Sequence, residues 1–190
     1  MARQESAAWR SICAFCTAHG FDPEIIGKKA KTLLTSYRNL SWIINTSSCA
    51  VGIVRDKPHT NTNSILQYLN EFSANICRQQ FESTVRSYSD IRCISALINN
   101  SLLKVRDFPI YGSSYYELLI KCFLSDFKLT EADLLLLLNM ERSLFYSKKK
   151  EAITLFGCVL WGLELPGLIH LSSENSCDSF DQLSVASFYV

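Results

Sequence analysis

The sequence predicts an all-α protein, a helical bundle that closes in a helix-turn-helix. Three observations carry that expectation. Four prolines and seven glycines leave residues 28–51, 59–108 and 113–156 free of both, and such unbroken stretches favour helices. Within them apolar residues recur at intervals of three and four. Two pairs, Ser114-x-x-Glu117 and Thr130-x-x-Asp133, have the form in which a hydroxyl caps a helix amide and a carboxylate reaches back.

Each element follows in turn. Residues 1–27 read as an N-terminal arm. Ala30, Leu33, Leu34, Tyr37, Leu40 and Ile44 then form the apolar stripe of a first helix, with Lys28, Lys31 and Arg38 between them, so this helix is amphipathic and basic. The polar stretch 45–63, carrying Gly52 and Pro58, reads as a linker. Ile65, Leu69, Phe72 and Ile76 mark a second helix, and Ile91, Ile94, Leu97 and Ile98 a third, with Ser89-Asp90 as its cap. The segment 104–112, with Pro109, closes this block.

The last block is the informative one. Helices should begin just after Ser114 and Thr130, giving two starts. Asn139-Met140-Glu141 then interrupts the leucine run, and asparagine tolerates the left-handed backbone that a short turn requires. A longer helix resumes with Phe145, Ala152, Phe156 and Leu160 inward. A helix of about nine residues, a turn of three or four and a longer basic helix make a helix-turn-helix.

If Phe145, Ala152 and Phe156 face the core, Ser143, Tyr146, Ser147 and Lys150 share the opposite face, with Arg142 in the first turn. Early residues of a recognition helix reach base edges, and later lysines meet phosphate. Arg142, Ser143 and Tyr146 are therefore the base-reading candidates, and Ser147, Lys148, Lys149 and Lys150 the phosphate contacts. Leu136 and Leu137 should point partly outward, where exposed apolar surface more often marks a partner.

Charge is unevenly placed. Residues 1–150 hold all 19 lysines and arginines against 13 acidic residues, a net +6, whereas the last forty carry −5 and are rich in serine. A basic body with an acidic tail fits a protein that meets a polyanion. The apolar share is 48%, enough for a core of one domain or a domain with an arm, while the charged share of 19% lies below the roughly 25% usual in soluble domains. Uninterrupted apolar runs, at 134–138 and 157–163, fall far short of the roughly 18 residues of a membrane span, and the first twenty residues lack a secretory apolar stretch. The expected location is the cytoplasm, without a membrane partner.

The eight cysteines are expected to be reduced thiols, with Cys77, Cys93, Cys122 and Cys158 as small core residues. Cys13, Cys16 and His19 could put three metal ligands on one helical face. A structural zinc site needs a further pair, and only the scattered Cys49 and His59 remain, so no metal or other cofactor is expected. The three histidines lie far apart, and there is no phosphate loop, nucleophile elbow or zinc-protease motif, so an enzyme is not expected.

The segment LTEADLLLLLNMERSLFYSKKKEAITLFGCVLWGLELP resembles the end of the ArpU/RinA-like regulators of Gram-positive phages and prophages, in its Arg-Ser-x-Phe-Tyr and Phe-Gly-x-x-Leu-Trp-Gly pieces above all. The earlier KKAKTLLTSYRNLSWII is similar to that family's helical N-terminal stretch. The resemblance covers 115–166 well and 28–166 loosely. It implies a helix-turn-helix similar to the promoter-reading domain of sigma factors, and a role in switching on late phage genes. Where such motifs usually carry a small residue, a glycine and a Ser or Thr cap, this chain has Leu135, Asn139 and Glu141, which predicts looser packing.

The expected organisation is an arm (1–27), a helical domain for self-association or polymerase contact (28–110), a helix-turn-helix DNA-binding domain (111–166) and an acidic tail, expected to be disordered (167–190). The expected function is sequence-specific binding of double-stranded DNA by a transcriptional regulator, an activator of late phage or prophage genes, whose other partners are RNA polymerase or another copy of the chain. A helical interaction module without DNA binding is the alternative.

Overall fold

The computed structural model describes residues 6–49, 62–73, 81, 84, 85, 88–125 and 129–170, and among these every regular element is helical. Helix α1 (Ala7–Ala18) starts at Ser6, whose hydroxyl accepts the Trp9 amide at 3.0 Å. It closes with Phe21 N donating to the Cys16 carbonyl at 2.9 Å. Asp22 then caps α2 (Pro23–Cys49), accepting the Glu24 and Ile25 amides, both at 2.9 Å. Pro23 sits at the first helical position, where its missing amide costs nothing. The expected arm is thus a helix joined to the next by a capped turn, and Ala8, Ile12 and Cys16 are buried.

The helix expected from 28 onward is α2, and Ala30, Leu33, Leu34 and Tyr37 are buried as the spacing requires. It runs on to Cys49, into the stretch expected as linker, because that stretch contains no glycine or proline before Gly52. Helices α3 (Thr62–Glu71) and α4 (Tyr88–Arg106) follow, burying Ile65, Leu69, Ile91, Ile94, Leu97 and Ile98. Because α4 begins at Tyr88, Ser89 and Asp90 fall inside its first turn instead of preceding it. The side chains of Leu40, Ile44 and Ile76, together with Gly52, Pro58 and residues 171–190 of the tail, lie outside the described residues.

Helix α5 (Gly112–Leu119) corrects a second expectation. Its N-cap is Tyr111, in the left-handed region at φ 62°, and not Ser114. The chain turns back so sharply after α4 that a Cβ at position 112 would stand 2.4 Å from the Arg106 carbonyl oxygen; the bare glycine lets the helix start there. Glu117 instead forms an ion pair with Lys121 at 2.7 Å. The helix ends in a π turn, Ile120–Leu124.

The second capping pair forms as expected. Ahead of α6 (Glu131–Leu138), Thr130 Oγ1 accepts the Asp133 amide at 3.3 Å and Asp133 Oδ2 accepts the Thr130 amide at 3.0 Å. Asn139 ends α6 in the left-handed conformation, φ 47°, and three residues later α7 (Arg142–Val159) begins. Through a π turn, Leu160–Glu164, α7 continues as one helix to His170.

The fold is organised around the second half of α7, in which residues 151–161 are all buried. Helices α1, α2, α4 and α5 wrap it, α2 most extensively. The crossing with α2 is close because small residues meet: a Cβ on Gly27 would lie 2.8 Å from Thr154 Oγ1, and one on Gly157 would lie 2.9 Å from the Ala30 Cβ. One continuous cluster of buried side chains runs from Ile12 to Leu165, across the boundary expected at 110/111. By length and composition the helix Arg142–His170 could cross a membrane, which uninterrupted apolar runs do not reveal; most of its apolar window is buried inside the bundle, as in a core helix.

A carboxylate sits in this core. Glu151 is 2% exposed, and its oxygens accept the hydroxyl protons of Tyr115 at 2.7 Å and of Ser6, while Lys148 Nζ stands 3.2 Å away. It therefore joins the start of α1, the middle of α5 and α7. Burial, then the hydrogen bond to Glu151 and its negative charge, push the Tyr115 phenol well above its ordinary value of 10.0.

Removing the carboxylate should strand Lys148: Glu151→Ala is expected to cost about 3 to 5 kcal/mol in urea unfolding. Above pH 10 the unfolded chain loses the Tyr115 proton while the folded chain keeps it, so stability falls with rising pH. Tyr115→Phe lacks that loss, and its stability deficit relative to the parent should narrow between about pH 10 and 11.5. A constant deficit across that range would remove the phenol from the account.

Candidate nucleic-acid interface

The first half of α7 differs from the second. Of residues 142–150 only Phe145 is buried, at the end of α7 that leaves the bundle. Its N-cap, Glu141, makes no side-chain capping bond. Arg142 and Ser143 are exposed, and Arg142 Nε lies 2.8 Å from Glu131 Oε1 at the start of α6. Tyr146 donates its hydroxyl to the other oxygen of Glu131 at 2.8 Å. One acidic side chain of α6 thus contacts two of the three base-reading candidates on α7.

The phosphate candidates separate. Successive residues on an α-helix are turned by about 100°, so three consecutive lysines cannot share a face. Lys148 turns inward, with a side chain only 12% exposed, to Glu151 and to the Tyr111 ring, whose centroid is 3.4 Å from Nζ. Lys149 is half-buried near the rings of Phe123 and Phe145. Lys150 is exposed, pairs with Glu24 of α2 and lies 4.4 Å from the centroid of the Trp9 ring. Ser147 is half-buried.

Between the exposed half of α7 and the start of α2 lies a cleft of about 380 Å³. Tyr146, Lys149 and Lys150 form one wall, and Glu24, Lys28 and Lys31 the other. The basic face of α2 is legible in the sequence, but what it opposes is not. The signal was there in part: Lys28 and Lys31 stand at a spacing of three, but pairing them with α7 requires the Gly27–Thr154 contact, which no local pattern encodes. The charge of Lys149 also reaches Cys122. Burial pushes its thiol up, while the charges of Lys149 and Arg38 pull it down.

No family model, no curated protein and no solved structure matches the chain. What the site can do rests on its own geometry. An exposed helix start that carries Arg, Ser and Tyr, flanked by a cleft with four lysines, is suited to a polyanion with readable edges. Among the described residues no three His, Cys, Asp or Glu side chains gather closely enough to hold a metal ion. Within the Cys13-x-x-Cys16-x-x-His19 motif, Cys16 is buried and hydrogen-bonded to Cys158, which lowers the Cys16 thiol and raises that of Cys158. His19 Nδ1 is 3.0 Å from the Phe15 carbonyl. Cys49, Cys77 and His59 fall where no side chain is described.

Apolar side chains are exposed beside the helix tip. Leu136, about 200° round the helix from Leu134, is 83% exposed, Leu137 is 52% exposed, and Leu144 adds to them. On α6 only Leu134 is buried.

The three lysines should separate in stability measurements. Lys148→Ala leaves the buried Glu151 without its cation and should cost about 3 kcal/mol. Lys150→Ala breaks an exposed pair and should stay within about 1 kcal/mol of the parent. Equal unfolding midpoints in denaturant would contradict the inward placement of Lys148.

Proposed function

We propose that the chain is a sequence-specific DNA-binding regulator of transcription, in which α6, the turn at Asn139 and the exposed half of α7 act as a helix-turn-helix. The observation that carries this is the division of α7: a fully buried second half holds rigid an exposed first half rich in groups that bind bases and phosphates. Arg142, Ser143 and Tyr146 read base edges. Ser147, Lys149 and Lys150 meet the strands, whereas Lys148, turned inward, neutralises Glu151. Glu131 releases Arg142 when guanine offers a better bidentate partner. The resemblance of 115–166 to ArpU/RinA-like regulators supports the same reading and adds the sigma-factor-like motif, activation of late phage or prophage genes, and a cytoplasmic, nucleoid-associated place of action. No catalytic role is proposed.

A second reading has its own observation. Exposed Leu136, Leu137 and Leu144 favour a helical interaction module, and in the DNA-binding reading the same surface contacts RNA polymerase or a second copy of the chain.

Selection of a binding site from random duplexes, followed by anisotropy titrations, separates the two. Arg142→Ala should lose roughly 1 to 3 kcal/mol on the selected site and little on random duplex. Lys149→Ala and Lys150→Ala should each lower the slope of log affinity against log salt by about one. If no site can be selected, or if Arg142→Ala weakens both duplexes alike, base reading by α7 is refuted.

A further inference from the structure

The cleft between α2 and α7 has a composition that the helix-turn-helix does not require. Four lysines line it, Lys28 and Lys31 from α2 and Lys149 and Lys150 from α7. Glu24 is the single carboxylate in the lining, and Lys150 already pairs with it. Three further lysines, Lys28, Lys31 and Lys149, thus line one space without a carboxylate of their own in the lining. Lys28 and Lys31 are exposed side chains on long flexible stems, and a bound anion offsets the cost of holding like charges together. The rest of the lining is mainly apolar: Pro23, Ile153, the bare backbone of Gly27 and the ring of Tyr146. A volume of about 380 Å³ falls at the small end of ligand sites, which span roughly 300 to 1,000 Å³.

We infer that this cleft binds the phosphate ester of a nucleotide, free or within a nucleic-acid strand. The phosphoryl oxygens lie among Lys28, Lys31 and Lys149, where compact ammonium charges suit a phosphate. The sugar or base rests against Ile153 and Tyr146. Crossing at Gly27 and Thr154 holds the backbones of the two walls at a fixed distance, and the flexible lysine stems close on the ester from there. In its strand-borne form the inference rests on the DNA-binding reading and extends it to α2; in its free form it stands alone.

The test uses the full chain, with adenosine monophosphate and a random duplex of about 20 base pairs as probes. Lys28→Gln with Lys31→Gln removes two exposed charges from α2 and leaves Arg142 and the helix tip untouched; an unchanged thermal melt by circular dichroism verifies the fold. At least one probe should bind the parent chain, and the double variant should weaken it about tenfold or more. For the duplex, the salt slope should also fall by about two. Duplex binding with silent nucleotide assigns the cleft to a strand, and nucleotide binding without duplex assigns it to a free ester and refutes the DNA-binding reading instead. If neither probe binds, or if the double variant binds both as the parent does, the cleft is not a phosphate site. Loss of specificity in Arg142→Ala alongside an unaffected double variant would leave base reading in place and overturn the inference.

Discussion

A helix surrounded by protein on every side must place each of its polar groups, and this is the constraint under which the bundle is built. From Glu151 to Trp161, α7 has no solvent face. Its main-chain groups are satisfied along the helix, but the Glu151 carboxylate has to find partners within the core. It finds them in Tyr115, Ser6 and Lys148, one on α5, one at the cap of α1 and one a turn back on α7. The positions of α1 and α5 are thereby tied to one carboxyl group. Ser6 has a double role, since the same hydroxyl caps its own helix. Trp161, at the other end of the buried stretch, donates its indole proton to the Leu69 carbonyl at 2.9 Å, which brings in α3.

Much of this architecture was legible in the chain, and its illegible parts have physical reasons. Spacing at three and four found the buried faces of α2, α3 and α4, because burial on one side imprints a period. The Thr130–Asp133 box and the left-handed Asn139 were readable since caps and turns depend on neighbours a few residues apart. The same pattern misled at Ser114, where a tertiary constraint, the tight return of the chain against Arg106, moved the start of α5 to Gly112. The arm was underestimated. Asp22 followed by Pro23 is a strong start signal, and Ala8, Ile12 and Cys16 recur at four, but a short helix with few large apolar residues leaves a faint stripe. At the candidate site, Arg142, Ser143 and Tyr146 stand where helical phase put them, on the exposed end of α7. Their tie to Glu131 and the opposing lysines of α2 are long-range pairings that no local rule contains.

The outer end of the molecule has a different balance of forces from the inner one. Around the helix tip, contacts are polar, exposed and few: Arg142 and Tyr146 with Glu131, Lys150 with Glu24. Such contacts each contribute little in water and are readily exchanged for those of a ligand. Apolar Leu136 and Leu137 lie next to them, held outward by a helix that buries only Leu134. Rigidity in one half of α7 is thus joined to exchangeable bonding in the other.

The three adjacent lysines carry a lesson about substitution. Identical in the sequence and contiguous, they face three environments, and relatives of this chain should diverge at them in three ways. Position 148 answers to a buried carboxylate and an aromatic ring, so it should tolerate only a long cation. Position 149, half-buried beside two rings, should admit Arg as readily as Lys. Position 150 shares its exposed salt bridge with position 24, and the two should drift together, both charged or both neutral. A run of like residues is thus one feature to a reader of letters and three unrelated ones to selection.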